Sequence, residues 1–591
     1  MKLPFPCTAV LTGALLLSSL NAADAAFDTW VEEVTTEEMR ASPTEATYTQ
    51  YFTGTEQDAA DRQFTPITKA YRAERIAVAR RKRQELAQFS PATLSPAQRI
   101  SARILAWEFD EQIKSEPFAD HTFVFHQFRG LHVRLVNFLS QTHPIRNRRD
   151  IENYLARLAL VAGQMDEGVA QAREAGARGF LMPDFITKAA LGQFDRFLGD
   201  APAQNVLVTS LSERAAKVTD LPAADHAAFV AAAEKIVTSS VIPAFQRARA
   251  LLQEQLPRTS DHAGLCWLPN GAAAYAYFLG HYTTTNLSPQ EVHELGLKEV
   301  TRIEARMDAL FKQLGYADGT IKDRMKLLEA KLQPPAEPDP RLALLARYEE
   351  ILADAVKRSQ SLFDLQPKAP CVVKREPAFT EKTAAAHYNA PARDGSRPGT
   401  FWAPLPGPAF RLVGMKTLVY HEAIPGHHFQ IALMQEMTDL PRFRQDRIFG
   451  ANSAHSEGWA LYAENLAAES GWYEGDPVGQ LGQLNDELFR ARRLVVDTGI
   501  HAMKWTRQQA LDYGLPVDNP VAEVERYVVF PGQACSYKIG MLKIVAVRAK
   551  AQQALGAKFS LKEFHNVVLR TGTVPLSVLE QVIDDWIATS R

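Results

Sequence analysis

Apolar residues at helical spacing run through nearly the whole chain, and that pattern limits the fold more than any other feature. The stretch 90–115, "SPATLSPAQRISARILAWEFDEQIKS", opens on turn residues and then sets Ile100, Ile104, Leu105 and Phe109 on one helical stripe. The stretch 288–315 starts with Ser288 as N-cap, Pro289 in the first helical position and Glu291 placed to close a capping box. Val292, Leu295, Val300, Ile303, Met307 and Leu310 follow at helical intervals, and Gly315 supplies the stop. Similar patterning predicts long amphipathic helices across 65–260 and 288–360. Strand-like runs are few: 371–376, 384–391, 399–405 and 526–530. The chain reads as mainly α with a small β-sheet, interrupted by turn-rich breaks at "LQPPAEPDPR" and "ARDGSRPG".

At 591 residues the chain is too long for one compact core. A formal net charge of −2 provides no basic field for nucleic acid. No internal stretch reads as apolar enough for long enough to span a bilayer. At the N-terminus, Lys2, the apolar run 9–20 and the small residues of "NAADAA" form a secretory leader, 1–25, cut after Ala25. Cys7 precedes the apolar run and lacks the small-residue context of a lipoprotein site. The mature chain is expected to be exported, periplasmic or secreted. Cleavage leaves Cys266, Cys371 and Cys535, an odd set with no metal-ligand spacing and room for one disulfide.

The stretch 419–430, "VYHEAIPGHHFQ", carries the chemistry. Leu412, Met415, Leu418 and Val419 keep an apolar stripe, so His421 and Glu422 fall near the end of a buried helix. Two histidines on one zinc ion must bring their nitrogens within about 4 Å of each other. On a straight helix, a residue six positions on points elsewhere, and one seven positions on is about 10 Å further along the axis. Neither His427 nor His428 can then join His421. Pro425 cannot continue the helical hydrogen bonds, and Gly426 tolerates a strained backbone, so a break between 423 and 427 is expected to swing a later histidine back. A third ligand is available in "HSEGWALYAENLAAESG", where Glu457, Leu461 and Glu464 share one helical face. A carboxylate among apolar neighbours is costly unless paired or bound to metal. Glu457 fits as ligand and Glu464 as the partner that orients a histidine. Two imidazoles and a carboxylate suit zinc, one per chain, and leave a position for water, with Glu422 as general base.

"HEAIPGHHFQ", "SEGWALYAE", "RLVVDTGIH" and "PGQACSYKIG", in this order, resemble a large bacterial family catalogued as domain of unknown function 885, grouped with the gluzincin-type zinc metallopeptidases. "TTTNLSPQEVHELGLKEVTRI" fits the same pattern, and the resemblance covers most of 40–590. It implies a large, two-lobed helical metallopeptidase-like fold with a deep cleft and a small sheet next to the active-site helix. In kind it is similar to angiotensin-converting enzyme, thimet-type oligopeptidases and the carboxypeptidase Taq type. The last has His-Glu-x-Gly-His, which favours His427 over His428 if Ile424 and Pro425 are inserted residues. One departure stands: Ala403 and Pro404 follow "GTFW" where an asparagine is usual.

The implied organisation is a leader at 1–25, an N-terminal helical region at 26–260 and a catalytic region at 261–591. Arg493, Asp497 and His501 repeat every fourth residue of an otherwise apolar helix. Their plain reading is pairing within the helix. In a peptidase, Arg493 would take a substrate carboxylate and His501 would donate to the tetrahedral intermediate. The resemblance supports Tyr537 as the oxyanion donor. Lys538 is expected at the surface, and Tyr388 lies on a run that offers an edge strand to an extended peptide. The leading function is an exported zinc peptidase of short peptides. The alternatives are a zinc hydrolase of other amides or esters, and a catalytically silent metal-containing binding protein.

Overall fold

The computed structural model describes residues 10–377, 381, 385–392, 395, 397–449 and 452–591, with side chains from Ala25 onward. Cys7 and the start of the expected leader lie outside the described residues, as does Ala384. The chain is mainly helical and divides into two compact units. One takes the chain up to Leu94 together with Phe109–Ala274; the other takes Ser95–Glu108 and Tyr275–Arg591. The expected boundary between 260 and 261 falls within the first unit.

In the first unit, helix Ile242–Gln255 packs on helices Val161–Ala177 and Asp184–Gly199. Phe194, Phe245, Leu158 and Tyr154 are fully or almost fully buried there, each stabilising the unit by about 1.5–3 kcal/mol. Arg157, on helix Arg148–Ala159, is also fully buried. Its Nε donates to Gln63 O at 2.8 Å, and its Nη2 to Thr47 Oγ1 at 2.7 Å and Ala60 O at 2.5 Å. Its Nη1 reaches His143 Nδ1 at 2.9 Å, and Phe64 and Phe138 cover its guanidinium.

The expectation of no span-like stretch needs correction. The helical run Ala223–Arg258 contains a window with mean hydropathy 1.4, long and apolar enough by composition to cross a bilayer. Its alanines raise the hydropathy without adding large side chains. Ala244, Phe245, Ala248, Leu251 and Leu252 of this run are buried in the unit.

The second unit is built on helices α1 (Gly271–Thr283), from Tyr275 onward, and α2 (Pro289–Gln313), a three-stranded sheet, and helices α3 (Met415–Glu422), α4 (His427–Glu436), α5 (Ser453–Glu469), α6 (Pro477–Ala502), α7 (Pro520–Val529) and α8 (Ser536–Leu555). The capping box at Ser288 and Glu291 forms as expected, and Gly315 follows α2 with φ +85°. Val300, Ile303, Met307 and Phe311 of α2 pack against Leu481, Leu484, Leu488 and Ala491 of α6.

In the sheet, β1 (Cys371–Arg375) runs parallel to β3 (Gly399–Ala403), and β2 (His387–Asn389) runs antiparallel to it. The order is β1-β3-β2, so β2 is an edge. Val373, Phe401 and Tyr388 are in register on one face; Lys374, Trp402 and His387 are in register on the other. The fourth expected strand, 526–530, is instead the end of α7 and its cap. Asn519 caps that helix, Pro520 opens it, and Val524, Tyr527 and Val528 are buried at helical spacing. This periodicity overrides the β propensity of "RYVVF".

Candidate metal centre

α3 buries Met415, Thr417, Val419, Tyr420, His421 and Glu422, and it ends where the proline-glycine pair requires. The Ala423 N–H donates to Val419 O at 2.8 Å, the chain leaves the helix at Ala423, and α4 restarts at His427. The break therefore forms as the sequence predicts, but the glycine serves a different purpose. Gly426 has an ordinary negative φ of −79°. A Cβ there would lie 1.9 Å from His421 O and 2.4 Å from Tyr420 O, so the position requires the absence of a side chain. Pro425 O accepts from the indole Nε1 of Trp459 at 2.9 Å, which fixes the break to α5, the helix carrying Glu457.

His421, His427 and Glu457 converge, each offering one ligand atom within 4.8 Å of the others. Glu457 Oε2 is 3.7 Å from His421 Nε2 and 3.3 Å from His427 Nε2. The imidazole planes stand at 87° with centroids 4.9 Å apart. One turn beyond Leu461, Glu464 is fully buried and its Oε1 meets His421 Nδ1 at 2.6 Å. Only His421 Nε2 is then left to face the centre. Burial disfavours a charged imidazole, but hydrogen bonds to Glu457 and Glu464 outweigh it and lift His421 to about 10. Burial would raise Glu457; the two histidines reverse this and hold it well below the usual carboxylate range.

His428 is not part of the cluster. Its Nε2 is 3.0 Å from Ala369 O, which can only accept, so Nε2 carries the proton. Its Nδ1 then accepts from the Tyr388 hydroxyl at 3.0 Å. A Cβ at Gly399 would lie 2.4 Å from that Nδ1, so β3 needs glycine beside the ring. His428 ties α4 to the sheet, and the Tyr388 hydroxyl proton is committed to it.

The remaining expected residues separate. The 493–497–501 stripe does not pair within its helix. Arg493 Nη2 donates to Glu523 at 2.6 Å and its Nε to Tyr527 Oη at 3.1 Å. Its guanidinium lies between the rings of Phe489 and Tyr537, 4.1 and 4.4 Å from their centroids. Asp497 is fully buried and accepts from Tyr275 Oη at 2.7 Å and from the Gly532 N–H at 3.0 Å. His501 is fully buried, stacks on Tyr275 and places Nε2 2.9 Å from Tyr527 O. Burial pulls it down to about 4. Lys538, expected at the surface, is fully buried and pairs with Glu487 at 2.7 Å and Glu299 at 3.0 Å. Among the described residues, Cys371 and Cys535 form no disulfide.

Tyr537 is half-buried on α8. α8 meets α5 backbone to backbone: a Cβ at Gly458 would lie 2.5 Å from Gly540 Cα, and one at Gly540 1.8 Å from Ala454 O. Ser453 Oγ at the start of α5 is 2.7 Å from Ser536 Oγ at the start of α8. Sequence reading missed this contact, although glycines inside both helical patterns signal close approach. It also missed Glu523 and Gln533, whose partners Arg493 and Ser453 are distant in sequence.

The donor set fits zinc. Its histidine and carboxylate ligands bind at about 2.0–2.2 Å, which puts tetrahedral ligand atoms about 3.3 Å apart. The separations at Glu457 Oε2 are close to that value. The Nε2 of His427 is the nitrogen turned toward Glu457, and its buried Nδ1 has no hydrogen-bond partner among the described residues.

A mainly helical fold thus carries a two-histidine, one-carboxylate centre on a broken helix and its neighbour. The sequence matches the family described as bacterial protein of unknown function (DUF885) over residues 43–583, and the chain belongs to that family. The solved structure of a putative lipoprotein from Colwellia psychrerythraea is similar, with 29% identity, TM-score 0.84, and coverage of 94% of this chain and 99% of that one. A putative lipoprotein of unknown function from Shewanella oneidensis shares the fold at 19% identity and TM-score 0.70, with coverage of 94% and 98%. No curated protein matches the chain.

Proposed function

We propose that the protein is an exported zinc metallopeptidase that hydrolyses short peptides, of the gluzincin kind, with the substrate held in a cleft. The observation that carries this reading is the convergence of His421, His427 and Glu457 directly after Glu422. Zinc bound there would supply Lewis acidity, lowering the pKa of a water and polarising the scissile carbonyl. Glu422 is buried at the end of α3 and close enough to His421 to act on its charge. It takes a proton from the attacking water and later passes it to the leaving amine. Glu464 fixes the ring of His421. The Tyr537 hydroxyl donates to the oxygen on which charge develops. His501, buried against Tyr527 O, positions α7 and takes no part in the reaction. Export is supported by the leader pattern at 1–25 and by the lipoprotein description of the Colwellia relative.

The test combines metal analysis with one substitution. Wild type and His428→Ala should each hold about one zinc per chain, and His427→Ala should lose it. Glu422→Gln should keep the metal while turnover of a short-peptide mixture falls by about 10²–10⁴-fold. Unchanged turnover in Glu422→Gln overturns the mechanism. Metal without peptide cleavage, but with ester or amide cleavage, moves the reading to another hydrolase. Metal with no turnover of any substrate leaves a binding protein.

A further inference from the structure

The first turn of α8 is fastened to three helices at once. Lys538 is fully buried, and its Nζ meets Glu487 Oε1 of α6 at 2.7 Å, Glu299 Oε2 of α2 at 3.0 Å and Met541 Sδ at 3.5 Å. All three ammonium hydrogens are thereby used. Arg302 donates to Glu299 at 2.8 Å and also to Glu487, so two cations face two carboxylates. Toward α5 the fit is made by Gly458 and Gly540, which let the two backbones touch but offer no side chain to resist sliding or rotation. Side chains normally set the register of packed helices by interlocking, so here directional bonds in the same turn have to supply it. A buried ion pair is a poor source of stability, because apolar side chains of similar volume do as well or better. What it adds is direction: two carboxylates on two helices fix where the turn stands. Tyr537 precedes Lys538, about 100° around the helix, and its ring centroid lies 4.4 Å from the Arg493 guanidinium. Gly458 directly follows Glu457. The clamp on Lys538 thus holds the turn that carries Tyr537 against the turn that carries Glu457.

We propose that Lys538 is a positioning residue: clamped by Glu487 and Glu299, it holds α8 in register on α5 and so sets the place of the Tyr537 hydroxyl relative to Glu457. This rests on the peptidase reading, in which that hydroxyl donates to the oxygen where charge develops, and adds to it a residue that acts only through Tyr537. Placement is what such a donor contributes, since a displacement of about 1 Å costs on the order of 10²-fold in rate.

The experiment removes the clamp from the zinc-loaded full chain without leaving a buried charge alone. Lys538→Met combined with Glu487→Leu deletes one cation and one carboxylate and leaves Arg302 paired with Glu299. The urea midpoint of this double variant should stay near that of wild type. Its kcat on a short peptide that wild type cleaves should fall about 10- to 100-fold, with KM little changed. Tyr537→Phe should lose about 10²-fold, and the triple variant should be no slower than Tyr537→Phe alone, because both changes act on one interaction. A double variant that turns over like wild type makes Lys538 a plain structural residue and overturns the proposal. Losses that multiply with Tyr537→Phe overturn it too, as does failure of the double variant to fold, since the ion pair then serves stability itself. If wild type cleaves no peptide, the peptidase reading fails, and the place of Tyr537 is read by fluorine NMR of fluorotyrosine-labelled protein, with its line assigned by its loss in Tyr537→Phe. A line that shifts or broadens in the double variant supports the clamp; an unchanged line overturns it.

Discussion

Two buried arginines, one in each unit, are packed alike and wired differently. Arg157 and Arg493 both lie between two aromatic rings. Arg157 meets only neutral acceptors, and all its nitrogens are engaged. Burial pulls it down to about 10. For Arg493 burial acts in the same direction, but Tyr527, Glu523 and Tyr537 reverse it and hold it well above the usual arginine value. Satisfied by backbone carbonyls, a hydroxyl and a ring nitrogen, the first arginine ties segments of its unit together. The second sits among groups that can carry charge and has a donor to spare. Burial of a cation does not tell structure from function; the chemistry and completeness of its partners do.

The comparison can be broken most forcefully at the closed site. Arg157→Met leaves the carbonyls of Ala60 and Gln63 and the Thr47 hydroxyl without their donor. It should destabilise the protein by on the order of 4 kcal/mol in urea titration, with zinc affinity of the folded protein unchanged. A harmless Arg157→Met would undo the contrast. The next largest effect is expected at the metal centre, where Glu464 supports His421. Glu464→Gln should keep the fold and weaken zinc about 10- to 100-fold, read by competition with a chromophoric chelator. Zinc affinity equal to wild type would remove Glu464 from the site.

The smallest effect sharpens the contrast within the second unit. Burial lifts Asp497 from 3.8 to about 7, against the hydrogen bonds from Tyr275, Gly532 and Cys535. A carboxyl raised on folding favours the protonated native state. Its contribution to stability is complete below pH 3.8 and is lost as pH rises through about 7. Glu299, Glu487 and Glu523 are held below their usual values by nearby cations, so they act in the opposite sense toward acid. The measurement is therefore a difference: between pH 4 and 7 the urea midpoint of wild type should fall relative to that of Asp497→Asn. Parallel curves would mean that Asp497 does not titrate in this range.

Much of the centre was legible because its logic is local. The proline-glycine break, the histidine before it and the shared face of Glu457 and Glu464 all follow from helix geometry over a few residues. The choice between His427 and His428 was not legible from spacing, because it depends on Ala369 and Tyr388, which belong to the sheet region. Lys538 misled for the same reason: Glu299 and Glu487, which make its burial tolerable, lie on α2 and α6. At 526–530 the signal was present but outweighed, since β-branched and aromatic residues hid an N-cap, a first-position proline and a helical stripe. Arg493, Asp497 and His501 look like partners in sequence, yet each pairs with a different segment, and only three-dimensional packing reveals which.

The glycine contact between α5 and α8 carries a consequence for how this protein can vary. At Gly458 and Gly540 the neighbouring backbone fills the space in which any side chain would begin. The smallest substitution available, one methyl group, would push the helix of Glu457 away from the helix of Tyr537. These positions lie outside the candidate metal centre, yet they set the gauge between Glu457 and Tyr537, the two groups proposed to act there. Drift in the rest of both helices can be absorbed by repacking, whereas at these two residues there is no slack to take up.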